Sequence, residues 1–358
     1  MASIILSGCR GRYVSRSDSE SIAADSAATL RADYSADEEA WADSIYRCMS
    51  VAERAGMILM PGIYSSADAA NLSLLKRYVT EMHVGGIVLL RGTPADVSVM
   101  TDSIRRWSSL PLFVAIDAEW GLAMRLKGAA SYPVFSRLGE VEENYMYDYG
   151  HRLAAEASRL GINMILGPVL DVAGDDASYI SFRTLGSDPA RVASLGVAYA
   201  RGLEDGGVLS CAKHFPGHGS VSADSHKSLP VIRKSLEQLE GSDLLPFKRY
   251  ISEGNSAVMV GHLALPSVDS SGRSASASPE VIGSLLRERM GFRGLVLTDA
   301  ISMAGASGES AREAIAAGAD MVLAPLDTQK ELSGLIQMSP DSLERAVKRI
   351  LHYKYRFK

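Results

Sequence analysis

The chain has 358 residues, of which 47% are hydrophobic and 22% charged, the balance typical of a globular enzyme with a large core. Its formal net charge is −5, and the absence of a basic patch excludes nucleic acid as an expected partner. No run of about 18 consecutive apolar residues occurs, so the sequence predicts no membrane-spanning segment.

Residues 1–38 are predicted to form an N-terminal segment, separate from a catalytic domain over residues 39–358. Leu6-Ser7-Gly8-Cys9 resembles the lipobox of bacterial lipoproteins, in which the cysteine is lipidated. The apolar run before Cys9 is shorter than the roughly 7–15 residues of an export signal. We therefore expect either a leader whose true start lies upstream, which we favour, or a chance match. The segment from Ser15 to Asp37 would then be a tether in the cell envelope; the alternative is a cytoplasmic protein.

Eight short apolar runs recur along residues 39–358. They are continuous rather than alternating, as in strands that are buried on both faces of a parallel sheet. Amphipathic segments such as the one from Tyr145 to Leu160 separate them and are predicted helices. The eight runs are Met57–Met60, Gly86–Leu90, Leu112–Ile116, Ile162–Val169, Val208–Ala212, Ala257–Val260, Leu295–Leu297 and Met321–Leu323.

This order predicts a protein of the α/β class, a single-domain (β/α)₈ TIM barrel. An open doubly wound sheet is the alternative, but no G-x-G-x-x-G follows the first run. Polar residues gather after the third to seventh runs, at the end of the barrel where active sites lie.

The most distinctive polar segment follows the fifth run. It reads Lys213-His214-Phe215-Pro216-Gly217-His218-Gly219, and Asp224-Ser225-His226 comes shortly after it. Three histidines within 13 positions, together with a lysine and an aspartate, indicate a polar site rather than packing.

These two motifs resemble a retaining β-N-acetylglucosaminidase of glycoside hydrolase family 3, and the resemblance extends over about residues 49–325. It implies that His226 is the acid/base and that Asp224 orients its ring. A carboxylate bonded to one ring nitrogen fixes the tautomer and leaves the other nitrogen to exchange a proton with the glycosidic oxygen. The alternative for Asp224 is a local turn with the backbone.

The resemblance also assigns the nucleophile. Asp299 follows the seventh run, within Thr298-Asp299-Ala300-Ile301-Ser302-Met303, which is similar to the family's nucleophile segment. A carboxylate at the rim of a barrel strand can instead cap a helix, here one starting at Ala300.

Five further residues are implied to bind sugar hydroxyls. Asp117-Ala118-Glu119-Trp120-Gly121 is similar to the family's D-x-E-G-G motif, with Trp120 in place of its first glycine. Trp120 either stacks on a sugar or forms a wall. His218 is expected to organise its loop, Asp171 to anchor the loop after the fourth strand, and Asp188-Pro189 to start a helix. The sugar-binding residues are Asp117, Arg125, Arg183, Lys213 and His214.

The implied activity is removal of non-reducing terminal β-linked GlcNAc, from peptidoglycan-derived fragments, by double displacement. A small carbohydrate is the expected partner of a monomer that needs no cofactor or metal, with membrane contact only through a lipid on Cys9. The alternatives are a phosphorylase of the same family, a β-glucosidase, a metal-dependent hydrolase using His214 and His218, and a non-catalytic glycan-binding barrel.

Overall fold

A ring of parallel strands forms the centre of the molecule. The structure is a computed structural model that describes residues 34–174, 180–219, 229–303, 306 and 308–358. Its nine strands in these ranges lie in one sheet with the spatial order β1-β9-β8-β7-β6-β5-β4-β3-β2. They are β1 Leu59–Met60, β2 Gly62–Ser65, β3 Gly86–Gly92, β4 Phe113–Ile116, β5 Met164–Ile165, β6 Leu209–Phe215, β7 Ala257–Val260, β8 Leu295–Ala300 and β9 Met321–Leu323.

The ring closes through its first barrel strand, which is divided into two halves at Pro61. The first half pairs with the last strand, with Met60 opposite Leu323. The second half pairs with β3, with Gly62 opposite Val88. Proline has no N–H to donate to a ladder, so an interruption at this position is expected. The two halves together act as one strand of an eight-stranded barrel, which confirms the predicted fold.

Helices surround the ring and alternate with its strands. Asp188 caps α6, its side chain accepting from the Ala190 N–H at 2.9 Å, and Pro189 is the first helical residue, as predicted. The helices are α1 Ala36–Cys48, α2 Val51–Met57, α3 Ala69–Thr80, α4 Pro94–Trp107, α5 Glu143–Arg159, α6 Pro189–Asp205, α7 Leu236–Gly241, α8 Leu244–Ser252, a π-helical segment Glu280–Arg289, α9 Ala311–Ala317, α10 Thr328–Leu335 and α11 Pro340–Tyr355.

The contact between α5 and α6 supports one side of the barrel mouth. The two backbones approach so closely that a Cβ at Gly202 would lie 2.1 Å from the carbonyl oxygen of Tyr147. Glycine is therefore required there. This packing buries Tyr149 completely, and its hydroxyl donates to the carbonyl oxygen of Glu119 at 2.9 Å. The helix pair thus fixes the loop that follows β4.

The described helices include none that is both long and apolar enough to cross a bilayer.

Candidate active site

The polar residues of the candidate site come from loops and strand ends at the carboxyl end of the barrel. Asp117 follows β4, and Arg125 follows a 3₁₀ turn over Leu122–Met124 in the same loop. Arg183 ends a second 3₁₀ turn, Ser181–Arg183, in the loop after β5. Lys213 lies within β6. Parallel strands bring these distant segments to one face.

A network of ion pairs joins these four side chains and Glu119. The Lys213 ammonium donates to Asp117 Oδ1 at 2.7 Å and lies 2.8 Å from Glu119 Oε1. Arg125 Nη2 also donates to Asp117. Arg183 donates two hydrogen bonds to the Glu119 carboxylate, from Nε to Oε2 at 2.8 Å and from Nη2 to Oε1 at 2.7 Å. Such a two-pronged pair fixes orientation as well as distance.

The charges of this network keep both carboxylates ionised. Burial would raise the pKa of Asp117, but Lys213 and Arg125 hold that pKa far below its usual range. Burial would likewise raise the pKa of Glu119, yet Lys213 and Arg183 lower it to about 2. Two carboxylates thus face three cations, so the network carries fixed hydrogen-bond acceptors and donors at neutral pH.

A second, buried pair orients His214. Its Nδ1 lies 2.7 Å from Asp171 Oδ2, and its Nε2 lies 3.5 Å from Arg183 Nη2. Asp171 also accepts the backbone N–H of His218 at 2.6 Å. Burial opposes ionisation of Asp171, but His214 lowers its pKa to about 2. Asp171 therefore ties the loop after β6 to the loop after β5, which is the anchoring role predicted for it.

The backbone conformation of the loop after β6 explains why a glycine stands at position 217. Gly217 has φ = 127°, a backbone conformation that side chains other than glycine rarely adopt. It follows Pro216 and precedes His218, whose side chain is buried. The Pro-Gly pair thus turns the chain inward, so that the His218 backbone N–H meets Asp171.

Asp299 lies half-buried near the end of β8. Burial would raise its pKa, but His214, His262 and the Ala300 N–H lower it, the last through a hydrogen bond of 2.8 Å. The alternative of a helix cap is wrong, because β8 continues through Ala300. Asp299 is thus an ionised carboxylate at the mouth of the barrel.

His262 supports the segment that carries Asp299, a role that the sequence did not suggest. Its Nε2 lies 3.1 Å from the Ala300 carbonyl oxygen, and its Nδ1 lies 2.8 Å from Ser276 Oγ. Ser276 donates to Glu309 Oε2 at 2.7 Å. The chain Glu309–Ser276–His262 therefore holds the backbone directly after Asp299.

The structure brings the five predicted sugar-binding residues together and places Asp299 at the same end of the barrel. Asp224 and His226 lie outside the described residues, so their assignment stays a prediction. Glu119, which joins Lys213 to Arg183, is a member of the D-x-E motif for which the sequence predicts no role. The sequence does contain a signal for this role, because Glu119 is a second acidic residue only two positions after Asp117 and therefore lies in the same loop.

This arrangement suits a sugar. Guanidinium and ammonium donors alternate with carboxylate acceptors in the network, and a sugar hydroxyl both donates and accepts. The parts of the chain that the structure describes contain no group of three or more His, Cys, Asp or Glu side chains placed to hold a metal ion.

A parallel barrel with a polar cluster at the carboxyl ends of its strands has the architecture of a barrel enzyme, and the family match gives its class as glycoside hydrolase. The sequence profile of the Glycosyl hydrolase family 3 N terminal domain matches residues 51–352. The chain belongs to glycosyl hydrolase family 3.

Three relatives illustrate the match. A β-hexosaminidase of Chromobacterium violaceum is 35% identical over 283 residues, 75% of this chain and 79% of that protein. A solved family 3 β-N-acetylglucosaminidase from Paenibacillus sp. str. FPU-7 superposes with a TM-score of 0.80 at 31% identity, over 86% of this chain and 62% of that one. A solved β-glucoside phosphorylase gives a TM-score of 0.82 at 25% identity, over 90% and 61%. The chain thus spans somewhat under two thirds of both solved proteins.

The ion-pair network gives a stability prediction for Glu119→Gln. The variant leaves Arg183 and Lys213 with an unbalanced buried charge, which should lower the free energy of unfolding near pH 7 by about 3 kcal/mol. Because the folded pKa of Glu119 is lowered from 4.5 to about 2, its contribution is present above the unfolded pKa and is lost as pH falls through the folded one. Urea unfolding at a series of pH values from about pH 7 to about pH 3 measures the free energy of unfolding and hence this contribution.

The free energy of unfolding of Glu119→Gln should therefore depend less on pH in the acidic range than that of the parent. Asp117 and Asp171, whose pKa values are also lowered, should keep part of the pH dependence. Glu288→Gln, at an exposed position, is the matched control and should retain the parent curve. Equal slopes for the parent and Glu119→Gln would contradict the role given to the network.

Proposed function

We propose that the chain is a retaining β-N-acetylglucosaminidase that removes non-reducing terminal β-linked GlcNAc. Asp299 is the nucleophile, His226 the acid/base and Asp224 the residue that orients His226. The observation that carries the proposal is the position of Asp299, an ionised carboxylate near the end of β8, at the same end of the barrel as the network formed by the residues after β4, after β5 and within β6. The names of the β-hexosaminidase relatives support the same activity.

In the first step the Asp299 carboxylate attacks the anomeric carbon. The bond from that carbon to the glycosidic oxygen breaks, and the His226 imidazolium gives its proton to the departing oxygen. The product is a glycosyl ester on Asp299, with His226 neutral. Supporting this step, the lowered pKa of Asp299 keeps the nucleophile free of a proton at neutral pH.

In the second step water attacks the same carbon from the face that the aglycone left. His226 takes a proton from the water, the ester bond to Asp299 breaks, and GlcNAc leaves with its β configuration retained. Asp117, Arg125, Arg183, Lys213 and His214 bind the sugar hydroxyls through both steps. Their mutual hydrogen bonds fix them before the substrate arrives, so little reorganisation is needed on binding.

The substrate class is tested with nitrophenyl β-glycosides. We expect nitrophenyl β-GlcNAc to be cleaved with a kcat/KM at least ~100-fold above that of nitrophenyl β-glucoside, because a pocket shaped for an acetamide leaves polar groups unpaired without it. The expectation rests on the family's association of the D-S-H loop with GlcNAc. Equal or better cleavage of the glucoside contradicts the proposal and favours a β-glucosidase.

A phosphorylase is the second candidate, favoured by the solved β-glucoside phosphorylase that the chain resembles. In that reaction a phosphate oxygen, not water, attacks the anomeric carbon of the glycosyl ester and releases Asp299. Repeating the assay with and without phosphate separates the two. Hydrolysis predicts free GlcNAc under both conditions, whereas accumulation of GlcNAc 1-phosphate would replace the first candidate with the second.

Peptidoglycan-derived fragments are the proposed natural substrates, and the bacterial cell envelope is the proposed location. Both follow from the resemblance to family members with a His–Asp loop and from the lipobox-like motif at Cys9. That cysteine lies outside the described residues, so its lipidation rests on the sequence alone. Digestion of purified muropeptides with release of GlcNAc, followed by mass spectrometry, would support the substrate.

A further inference from the structure

Asp243, which directly precedes α8, is a fully buried carboxylate with no role in the mechanism above. Its Oδ2 accepts hydrogen bonds from Lys234 Nζ at 2.5 Å and from Ser242 Oγ at 2.6 Å. Its Oδ1 is buried as well and has no hydrogen-bond partner in the part of the chain that the structure describes. Burial of a carboxylate with one unpaired oxygen costs free energy, and a buried ion pair adds little net stability. The position of Asp243 therefore indicates a role other than stabilising the core.

The Asp243 side chain contacts both ends of the segment whose sequence contains Asp224 and His226. The first end is Gly217, just after β6. A Cβ added to that glycine would lie 2.7 Å from the Asp243 Cβ and 3.2 Å from its Oδ1, so the carboxylate packs directly on the Gly217 backbone. The second end is Lys234, whose ammonium forms the ion pair with Asp243. The segment between positions 217 and 234 therefore begins and ends at one buried side chain.

The packing of α8 fixes Asp243 relative to the barrel. Phe247, one turn further along α8, meets Phe215 at the end of β6 edge to face, with ring centroids 5.3 Å apart and planes at 90°. Both rings are fully buried. β6 is also the strand that carries Lys213 and His214 of the sugar-binding network. The carboxylate of Asp243 is thus held at a fixed distance from that network.

We infer that Asp243 is a positioning residue for the acid/base. By holding Gly217 and Lys234 together, it determines where the segment between them places His226 relative to the glycosidic oxygen. Fixing both ends of a chain segment restricts the conformations open to it, and a displacement of about 1 Å in a catalytic group can cost ~100-fold in rate. The inference rests on the proposed function and adds to it a buried residue that acts through His226.

The test is Asp243→Asn, which keeps the shape of the side chain and removes its charge. The side chain of Lys234 is 34% exposed, so water can solvate the ammonium that loses its partner. N,N′-diacetylchitobiose needs a proton on its leaving group, whereas nitrophenyl β-GlcNAc does not. We expect kcat/KM to fall roughly tenfold on the disaccharide and less than about twofold on the nitrophenyl glycoside. Lys234→Arg, which keeps the ion pair, should retain the ratio of the two rates found in the parent.

The matched control is Lys248→Met, which removes a lysine of α8 that pairs with Glu240 at 3.9 Å and should leave both rates unchanged. If Asp243→Asn does not fold, the double variant Asp243→Asn/Lys234→Met replaces it, because that variant leaves neither charge unpaired. The double variant should show the same selective loss on the disaccharide.

Equal losses on both substrates, or no loss on either, would overturn the inference. His226→Ala, measured beside these variants, separates this failure from that of the proposed function. A selective loss on the disaccharide in His226→Ala alone leaves the proposed acid/base intact and removes Asp243 from its support. If His226→Ala also loses activity equally on both substrates, or if the folded parent cleaves neither, the proposed function fails and the inference fails with it.

Discussion

Asp299→Asn is expected to lower kcat/KM on nitrophenyl β-GlcNAc by at least ~1,000-fold, or about 4 kcal/mol of transition-state stabilisation. The amide cannot form the glycosyl ester, so the double displacement has no first step. The substitution preserves size, and Asp299 is a half-buried residue at the end of β8 rather than part of the core. The free energy of unfolding should therefore change by less than about 1 kcal/mol.

The comparison needs a variant with the same chemical change elsewhere. Asp148→Asn lies at an exposed position on α5 and should retain the parent activity and stability. Steady-state kinetics and urea unfolding of the three proteins separate lost chemistry from lost folding. Appreciable turnover by a folded Asp299→Asn variant would show that another group attacks the anomeric carbon.

His226→Ala is expected to have the second largest effect, and the effect should depend on the leaving group. A sugar alcohol needs a proton as it departs, whereas nitrophenol leaves readily without one. General acid catalysis contributes about 10²–10⁴-fold, so cleavage of a disaccharide should fall by that order while cleavage of the nitrophenyl glycoside falls far less. Rates on the two substrates measure the difference.

The pH profile provides an independent test of the same residue. The alkaline limb of kcat/KM should move or vanish in His226→Ala, because deprotonation of the acid no longer limits the reaction. Asp224→Ala should show the same pattern more weakly, since the histidine remains but loses its orienting partner. His151→Ala, at an exposed position on α5, is the control. A uniform loss on all substrates would identify His226 as a sugar-binding residue that transfers no proton.

The fold was largely predictable because buried parallel strands leave a simple signal. The apolar runs at Ala257–Val260 and Met321–Leu323 coincide with β7 and β9. The fourth run was predicted over Ile162–Val169, yet only Met164–Ile165 forms regular strand. Pro168 interrupts the ladder there, since it has no N–H, although Leu170 still donates to the Lys213 carbonyl at 2.7 Å.

The residues of the candidate site could be predicted only where a sequence motif contains them. Asp117, Arg125 and Lys213 were identified one by one, and spacing in the sequence could not show that they meet. Glu119 and Arg183 are 64 positions apart, and their contact depends on how the loops after β4 and β5 turn. His262 was missed for the same reason, since it acts through the backbone of Ala300.

The measurement that tests the account most directly is covalent trapping of the nucleophile. A 5-fluoro GlcNAc fluoride slows both steps but retains a good leaving group, so the glycosyl ester should accumulate. Mass spectrometry of the intact protein should show the addition of one fluorinated sugar, and peptide mapping should place it on Asp299. The Asp299→Asn variant should stay unlabelled. A label on any other residue, or a folded and active protein that forms no ester, would contradict the proposed mechanism.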